Sequence, residues 1–333
     1  MTAPRVSASI QARAPDRVRP HLAAPAAPAA GPALRAGVSI DPDLLRVPVG
    51  PAALHVERYG HGGPPVVLVH GFGTNAFLWR AVAPPIAWSG RTAFAIDLMG
   101  YGESDRPLDA SFGIAAQAEY LDRALIALRL ARAAVVGVDF GGAVALRLAA
   151  TRPERLERLV VVNPIAFGDV PSRDVRTVQR NTARFALRVT RGVLGAAALL
   201  TPVLQQSVAD DRRMPPRLVA RYLAPFAGSD GVGHLLTLAR SIRGEDLDDV
   251  DLGIISVPTL IVHGEEDRWV DDRLPERLAG TIAGSRLVRL PRVGRLVPEE
   301  TPEQLTELLL DFLGSDEAAG REPAPAPAGD GVA

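Results

Sequence analysis

The sequence predicts an α/β fold in which a mostly parallel sheet carries helices on both faces and a helical insertion covers one end of it. Three observations lead to this prediction. Short apolar runs alternate with segments whose apolar residues recur at helical spacing. Several runs are apolar throughout, as parallel strands buried on both faces should be. The alternation stops between Asn163 and Pro258, a stretch far longer than the ~12 residues that a crossover needs.

The elements follow one another in a regular order. The segments LLRVPV (44–49) and ALHVERY (53–59) predict an opening hairpin. Six further strands are predicted: PVVLVH (65–70), TAFAIDL (92–98), AAVVGVD (133–139), LERLVVVN (156–163), PTLIVHG (258–264) and SRLVRL (285–290). Helical periodicity predicts helices between them, for instance over 112–130 and 301–313.

The same pattern divides the chain into four parts. Residues 1–37 and 315–333 are rich in proline and alanine and poor in large apolar groups, so we expect a disordered arm and a disordered tail. Residues 38–164 and 256–314 form the predicted core. The all-helical pattern of 165–255 predicts a cap inserted over the end of the sheet.

Composition excludes several classes of function. The 333 residues carry a net charge of -1, with no long basic stripe, so we expect no nucleic-acid partner. The absence of cysteine excludes disulfides and thiolate nucleophiles. No apolar stretch reaches the ~18 residues of a membrane helix, and the N-terminus lacks the apolar run of a secretory signal. We therefore expect no membrane association and a cytoplasmic location. No metal-ligand spacing or phosphate-binding glycine loop is present, so neither metal nor cofactor is predicted.

A carboxylate stands at the tip of a predicted sharp turn. Gly137 and Gly141 lie two residues before and after Asp139, which follows an apolar strand and precedes an alanine-rich helix. Such a turn lifts one side chain clear of the backbone over a helix N-terminus. The backbone N–H groups of Phe72 and Phe140 are predicted to converge there into an oxyanion hole, because both follow strand ends at one edge of the sheet.

Five motifs in order resemble the α/β-hydrolase superfamily: VHGFGTNAFLWR, DLMGYGESDRP, GVDFGG, PTLIVHGEEDRWV and LPRVGRLVPEETPEQL. The resemblance covers residues 66 to 313 apart from the cap. It implies an α/β-hydrolase fold with a nucleophile, an acid and a histidine in that chain order. Asp139 takes the position of the nucleophile and Asp267 that of the acid.

An aspartate nucleophile resembles the branch of haloalkane dehalogenases and epoxide hydrolases. A carboxylate is ionised at neutral pH and can attack an sp3 carbon that bears a halogen or an epoxide oxygen, which gives an alkyl ester that water then cleaves. The resemblance implies a small apolar organic substrate in a pocket lined by Phe72, Phe140, Tyr222 and Trp269.

The chain departs from this family at the position of the catalytic base. Arg295 stands where the resemblance implies histidine, and a guanidinium cannot act as a general base. The catalytic triad is therefore degenerate. Arg295 either neutralises Asp139 and Asp267 or binds an anionic part of the substrate, and Asp267 is expected to pair with it. His234 in the cap is the candidate for a substitute base.

Three functions follow from these residues. The first is hydrolysis of an epoxide or carbon–halogen bond through an alkyl-enzyme ester, impaired or altered by the missing histidine. The second is a non-hydrolytic lyase, isomerase or cyclase that uses the same pocket in a biosynthetic pathway. The third is a catalytically inactive protein that binds a small ligand. The sequence leaves the substrate and the oligomeric state open.

Overall fold

The computed structural model describes residues 41–181, 195–228 and 230–314 of the chain, without the side chain of Asn181. The predicted arm (1–37) and tail (315–333) lie outside the described residues, as does most of the cap segment ARFALRVTRGVLGAAALL (183–200).

The described residues form an α/β structure around one eight-stranded sheet. The strands, in chain order, are β1 (Asp43–Pro48), β2 (Ala53–Tyr59), β3 (Pro65–Val69), β4 (Thr92–Ile96), β5 (Ala133–Val138), β6 (Leu156–Val162), β7 (Thr259–Gly264) and β8 (Arg286–Leu290). Their order across the sheet is β1-β2-β4-β3-β5-β6-β7-β8. The first three strands of this order pair antiparallel and the rest pair parallel, which confirms the predicted fold class.

Helices flank the sheet and fill the interval between β6 and β7. The described α-helices are α1 (Ala83–Trp88), α2 (Ile114–Ala127), α3 (Phe140–Thr151), α4 (Arg173–Asn181), α5 (Ala197–Gln206), α6 (Pro216–Leu223), α7 (Gly231–Ser241), α8 (Glu245–Asp248), α9 (Leu274–Thr281), α10 (Val297–Glu300) and α11 (Pro302–Gly314). Helices α4 to α8 follow β6 and precede β7, within the segment predicted as a cap. None of the helices in the described ranges has the length and apolar character to cross a bilayer.

Burial explains why the central strands read as continuous apolar runs. Every residue of β4, β5 and β7 is buried, whereas each of the edge strands β1 and β8 has only one buried residue. A parallel strand in the middle of the sheet has helices on both faces, so neither face tolerates charge. The edges meet solvent, and charged side chains occupy them.

The turn from β5 into α3 is a point of close backbone packing. A Cβ added to Gly141 would lie 2.3 Å from the carbonyl oxygen of His70 and 2.6 Å from that of Val69. A Cβ on Gly137 would lie 2.3 Å from the carbonyl oxygen of Gly141. These contacts involve backbone atoms of β3, of the residue that follows it and of α3, which cannot move aside without disturbing the close-packed core. The glycines that the sequence places around Asp139 are therefore a steric requirement of this turn.

We expect Gly141→Ala to lower the free energy of unfolding by ~1–3 kcal/mol, because its Cβ would force β3 and α3 apart. Urea denaturation measures the change. Gly280→Ala in α9 is the matched control: a Cβ there meets nothing within 4 Å, so helix propensity alone should raise stability by ~0.5–1 kcal/mol. Equal effects in the two variants would contradict the steric argument.

Candidate active site

Asp139 is the side chain around which the site is built. It links the end of β5 to the start of α3, at the carboxyl end of the parallel strands, and its backbone is held at φ 55° and ψ −119°. Non-glycine residues avoid this conformation, which is found at functional sites that the surrounding structure enforces. The side chain is buried. Gly71 makes room for it, since a Cβ at residue 71 would lie 2.6 Å from Asp139 Oδ2.

Each carboxylate oxygen of Asp139 accepts a hydrogen bond. The backbone N–H of Phe72 donates to Oδ2 at 2.8 Å, and Nη2 of Arg295 donates to Oδ1. One of the two N–H groups expected to form an oxyanion hole thus reaches the carboxylate. Phe140 is the first residue of α3, and its fully buried ring lies 6.1 Å from that of Tyr101, centroid to centroid.

Arg295 bridges Asp139 to a second buried carboxylate. Its Nη1 lies 2.7 Å from Oδ2 of Asp174, and its Nη2 also donates to Oγ of Ser172 at 3.2 Å. Ser172 in turn donates to Oδ1 of Asp174. We call these four residues the Arg295 cluster. All four are at most 2% exposed, and the cluster sets two carboxylates against one guanidinium.

The shared charge shifts the protonation of the cluster. Burial raises the pKa of Asp139 to about 6, with the Asp174 charge adding to the rise and Arg295 opposing it. Burial lowers the pKa of Arg295, but the two carboxylates more than offset this and raise it overall. Arg295 therefore stays protonated, and any proton exchange within the cluster takes place on a carboxylate.

The expected ion pair between Asp267 and Arg295 does not form, which corrects the sequence analysis. Asp267 is half-buried and accepts at 2.9 Å from Nδ2 of Asn163 and at 2.9 Å from the backbone N–H of Trp269. Both ends of the Arg295 guanidinium are occupied by Asp139 and Asp174. The charge of Asp267 still contributes to the raised pKa of Arg295.

The predicted cap residues are engaged in other contacts. His234 is half-buried, and its Nε2 lies 2.6 Å from the carbonyl oxygen of Gly100, so this nitrogen carries the proton and donates. Burial lowers the pKa of His234. Tyr222 is fully buried and donates to Glu299. The structure brings neither side chain into hydrogen-bonding contact with Asp139 among the described residues.

Trp269 joins the core to the cap. Its indole N–H donates to Oγ of Ser207 at 3.0 Å, and its backbone carbonyl accepts from the N–H of Arg173 at 3.1 Å. Glu299, the acceptor of Tyr222, also forms two hydrogen bonds with Arg80 at 2.6 and 2.7 Å. These contacts hold cap helices α4, α5 and α6 against the loops that carry Asp267 and Arg295.

Sequence reasoning missed Ser172, Asp174 and Tyr101. Ser172 and Asp174 stand at the start of α4 in a pattern that is typical of helix N-termini, which concealed their contact with Arg295. Tyr101 is fully buried, and its hydroxyl has no hydrogen-bond partner among the described residues. Burial and the charge of Asp139 raise its pKa.

The Arg295 cluster is closed to solvent. Two surface pockets have volumes of about 430 and 590 Å³; one lies beside Glu119 and Arg147, the other beside Gln206 and Asp211. Neither pocket is lined by a residue of the cluster. Because the four side chains of the cluster are buried, a substrate that reaches Asp139 must displace part of what covers it. The cap contacts Arg295 through Ser172 and Asp174.

We expect Asp139→Asn to remove a pH dependence of stability. The pKa of Asp139 is about 6 in the folded protein, above its ordinary value of 3.8, so the folded state keeps a proton that the unfolded state releases. Wild-type stability should therefore fall as the pH rises from about 4 to about 6, by on the order of 2 kcal/mol from this group. Urea denaturation of both proteins at pH 4.5 and 7 measures it; identical pH slopes would refute the assignment.

Arg295→Gln should lower the free energy of unfolding far more, because it leaves two neighbouring buried carboxylates without a positively charged partner. We expect a loss of ~3–5 kcal/mol at pH 7 and a smaller loss at pH 5, because this pH lies below the pKa of Asp139, which is about 6, so this carboxyl is largely neutral there. The control is Arg286→Gln, which removes an exposed pair with Asp311 at 3.1 Å and should cost at most ~1 kcal/mol. Thermal and urea unfolding distinguish them, and a similar loss in both would contradict the bridging role.

Comparisons with known proteins agree with this architecture. Residues 64–302 match the family described as alpha/beta hydrolase fold. A haloalkane dehalogenase of Mycobacterium marinum (strain ATCC BAA-535 / M) is 29% identical over 78% of this chain and 87% of its own. A 2-hydroxymuconate semialdehyde hydrolase of Pseudomonas sp. (strain CF600) is 29% identical over 77% of this chain and 89% of its own.

Among solved structures, the ligand-free epoxide hydrolase CorEH superposes with a TM-score of 0.70 at 20% identity, over 83% of this chain and 99% of that one, which is a likeness of fold alone. The names of these relatives support a hydrolase enzyme. The family match extends from the start of β3 to the first residue of α11, the last described helix, and includes both Asp139 and Arg295. This chain belongs to the α/β-hydrolase fold family.

Proposed function

We propose that this protein is a hydrolase-type enzyme in which Asp139 attacks an sp3 carbon of an epoxide or an alkyl halide and forms an alkyl ester. The observation that carries the proposal is the position of the carboxylate: it sits at the strand-to-helix turn with one oxygen held by the N–H of Phe72. A carboxylate suits an sp3 carbon, because attack on an ester would give a reactive anhydride whereas displacement gives a stable alkyl ester.

The two oxygens of Asp139 have different surroundings, which supports a different role for each. Oδ1 faces Arg295 and is the attacking atom; it forms the new bond to carbon as the carbon–halogen or carbon–oxygen bond breaks. Oδ2 becomes the carbonyl oxygen of the ester and remains on the N–H of Phe72. The N-terminus of α3, where Asp139 lies, favours the negative charge on the carboxylate before attack.

Arg295 can yield Oδ1 without losing its charge partner. The guanidinium holds Asp174 through Nη1 while Nη2 faces Asp139, so a substrate that reaches Oδ1 needs to displace only one of the two contacts. Because two carboxylates already neutralise Arg295, the guanidinium is not free to bind an anionic substrate group. This favours a neutral, apolar substrate over the anionic one that the sequence left open.

A second candidate is a non-hydrolytic enzyme of the lyase or isomerase type. One observation favours it: burial raises the pKa of Asp139 to about 6, which makes this group a better proton donor near neutral pH than an ordinary carboxyl. In this case Asp139 would exchange a proton with the substrate and form no covalent bond. The two candidates therefore differ in whether the enzyme becomes alkylated.

Rapid-quench intact-mass spectrometry tests the proposal. The protein is mixed with 1-bromohexane or 1,2-epoxyhexane and quenched after milliseconds to minutes. We expect a mass increase of one hexyl or one hydroxyhexyl group, located on the peptide that contains Asp139, because the carboxylate is the attacking group. Product release is followed in parallel by gas chromatography.

Asp267→Asn is the matched control, since it changes a neighbouring carboxylate that lies outside the Arg295 cluster; it should still be alkylated at residue 139, and Asp139→Ala should not. An adduct that survives in Asp139→Ala, or turnover in wild type with no adduct at any quench time, would argue for a different nucleophile or for the second candidate.

A further inference from the structure

The Arg295 cluster offers a group that can replace the missing histidine. Cleavage of an ester on Asp139 requires a base that takes a proton from water. Arg295 stays protonated and cannot accept one. Asp267 is held by Asn163 and Trp269, and the Nε2–H of His234 is held by Gly100. We propose that Asp174 is the general base that activates water in the second half of the reaction, an inference that rests on the alkyl ester proposed above.

Asp174 has the required position. Asp139 binds Nη2 of Arg295 and Asp174 binds Nη1. Because a guanidinium carries these two nitrogens side by side, we infer that one water molecule can contact both carboxylates. The charge of Asp174 contributes to the raised pKa of Asp139, which is the electrostatic sign of this proximity. Ser172 donates to Oδ1 of Asp174 and so fixes the plane of its carboxylate.

Alkylation of Asp139 changes the charge balance in favour of this role. Before attack, two carboxylates share one guanidinium; after it, Asp139 is a neutral ester and Asp174 is the remaining anion of the cluster. Its contact with Arg295 through Nη1 persists, while Nη2 is released from a charged oxygen. Nη2 then faces the ester oxygen Oδ1, which is the oxygen that must leave with the substrate carbon.

The step balances without any further reactant. The oxygen of water bonds to Cγ of Asp139 as Asp174 takes one proton from that water. The negative charge that develops on Oδ2 is stabilised by the N–H of Phe72, which lies 2.8 Å from this oxygen. The Cγ–Oδ1 bond then breaks, and Oδ1 departs as the alcohol with the proton from Asp174. Asp139 retains the oxygen of water, and its remaining proton passes to solvent.

Asp174 lies in a different part of the fold from the histidine that the resemblance implies at position 295. It belongs to α4, a cap helix, whereas Arg295 follows β8 in the core. The base would therefore be complete only when the cap is closed over the ester. The cap would then supply a catalytic group for hydrolysis in addition to covering the site.

The test compares wild type with Asp174→Asn by following the decay of the alkyl adduct. The adduct is formed with 1-bromohexane or 1,2-epoxyhexane, the excess reagent is removed, and intact mass is recorded over time. We expect Asp174→Asn to form the adduct but to clear it at least ~100-fold more slowly, the scale of a lost general base. A single turnover in H₂¹⁸O should place the label in the Asp139 peptide of wild type and leave the alcohol unlabelled.

Asp169→Asn is the control variant. Asp169 lies five residues before Asp174, and its Oδ2 accepts at 2.9 Å from the N–H of Asp271 outside the cluster. This variant should clear the adduct at the wild-type rate. Asp174→Ala provides a readout that a purely structural role would not give, because formate added to the solution should fill the space of the lost carboxylate and restore clearing.

The outcomes separate the two proposals. Equal clearing in wild type and Asp174→Asn, or an adduct that never clears in wild type, overturns the role of Asp174 while leaving Asp139 as the nucleophile. A failure of formate to accelerate clearing in Asp174→Ala also counts against a base at this position. Absence of an adduct in every variant with both reagents overturns the ester and, with it, this inference.

Discussion

The buried guanidinium of Arg295 is the constraint on which the site depends. It joins three parts of the chain: the turn after β5 through Asp139, the loop after β8 that carries it, and cap helix α4 through Asp174. Removing a charge from water costs several kcal/mol, and the cost is recovered only when partners are close and well hydrogen-bonded. The position of each carboxylate is thus tied to that of the other, and the cap is tied to both.

In the proposed mechanism, this arrangement moves the acid–base chemistry from the imidazole that the resemblance implies to carboxylates. An imidazole can gain and lose a proton near neutral pH, whereas a guanidinium cannot. Because its pKa is raised to about 6, Asp139 is the group of the cluster that can exchange a proton near neutral pH. The Arg295 cluster holds two carboxylates and one guanidinium, which gives it a net charge of about −1 when both carboxylates are ionised. Either a proton or a covalent bond on Asp139 would neutralise the excess negative charge.

The extent to which the sequence predicts this molecule follows from the range of the interactions involved. Apolar runs and glycines act locally, so the sheet, the turn at Asp139 and the contact of Phe72 with it were predictable. The pairing of Arg295 with Asp139 was also expected, but its second partner, Asp174 instead of Asp267, was not. Nothing in the sequence pattern distinguishes Asp174 from an ordinary acidic residue in the first turn of a helix. Asp267 follows β7 and binds instead the side chain of Asn163, which follows the neighbouring strand β6.

The loop and short helix that follow β8 carry both Arg295 and several contacts that hold the cap over Asp139. Besides Arg295, this segment carries Glu299, which binds cap residue Tyr222, and Leu296, whose N–H donates to the carbonyl oxygen of Ser207 in the cap at 3.0 Å. A substrate that lifts the cap must strain these contacts together with the one between Arg295 and Asp174. Because the same contacts reform on closure, the charge of Asp139 and the position of the cap are coupled through Arg295. In the proposed mechanism, alkylation neutralises Asp139 and leaves Arg295 with Asp174 alone, which strengthens the attraction between Arg295 and the cap and favours the closed form.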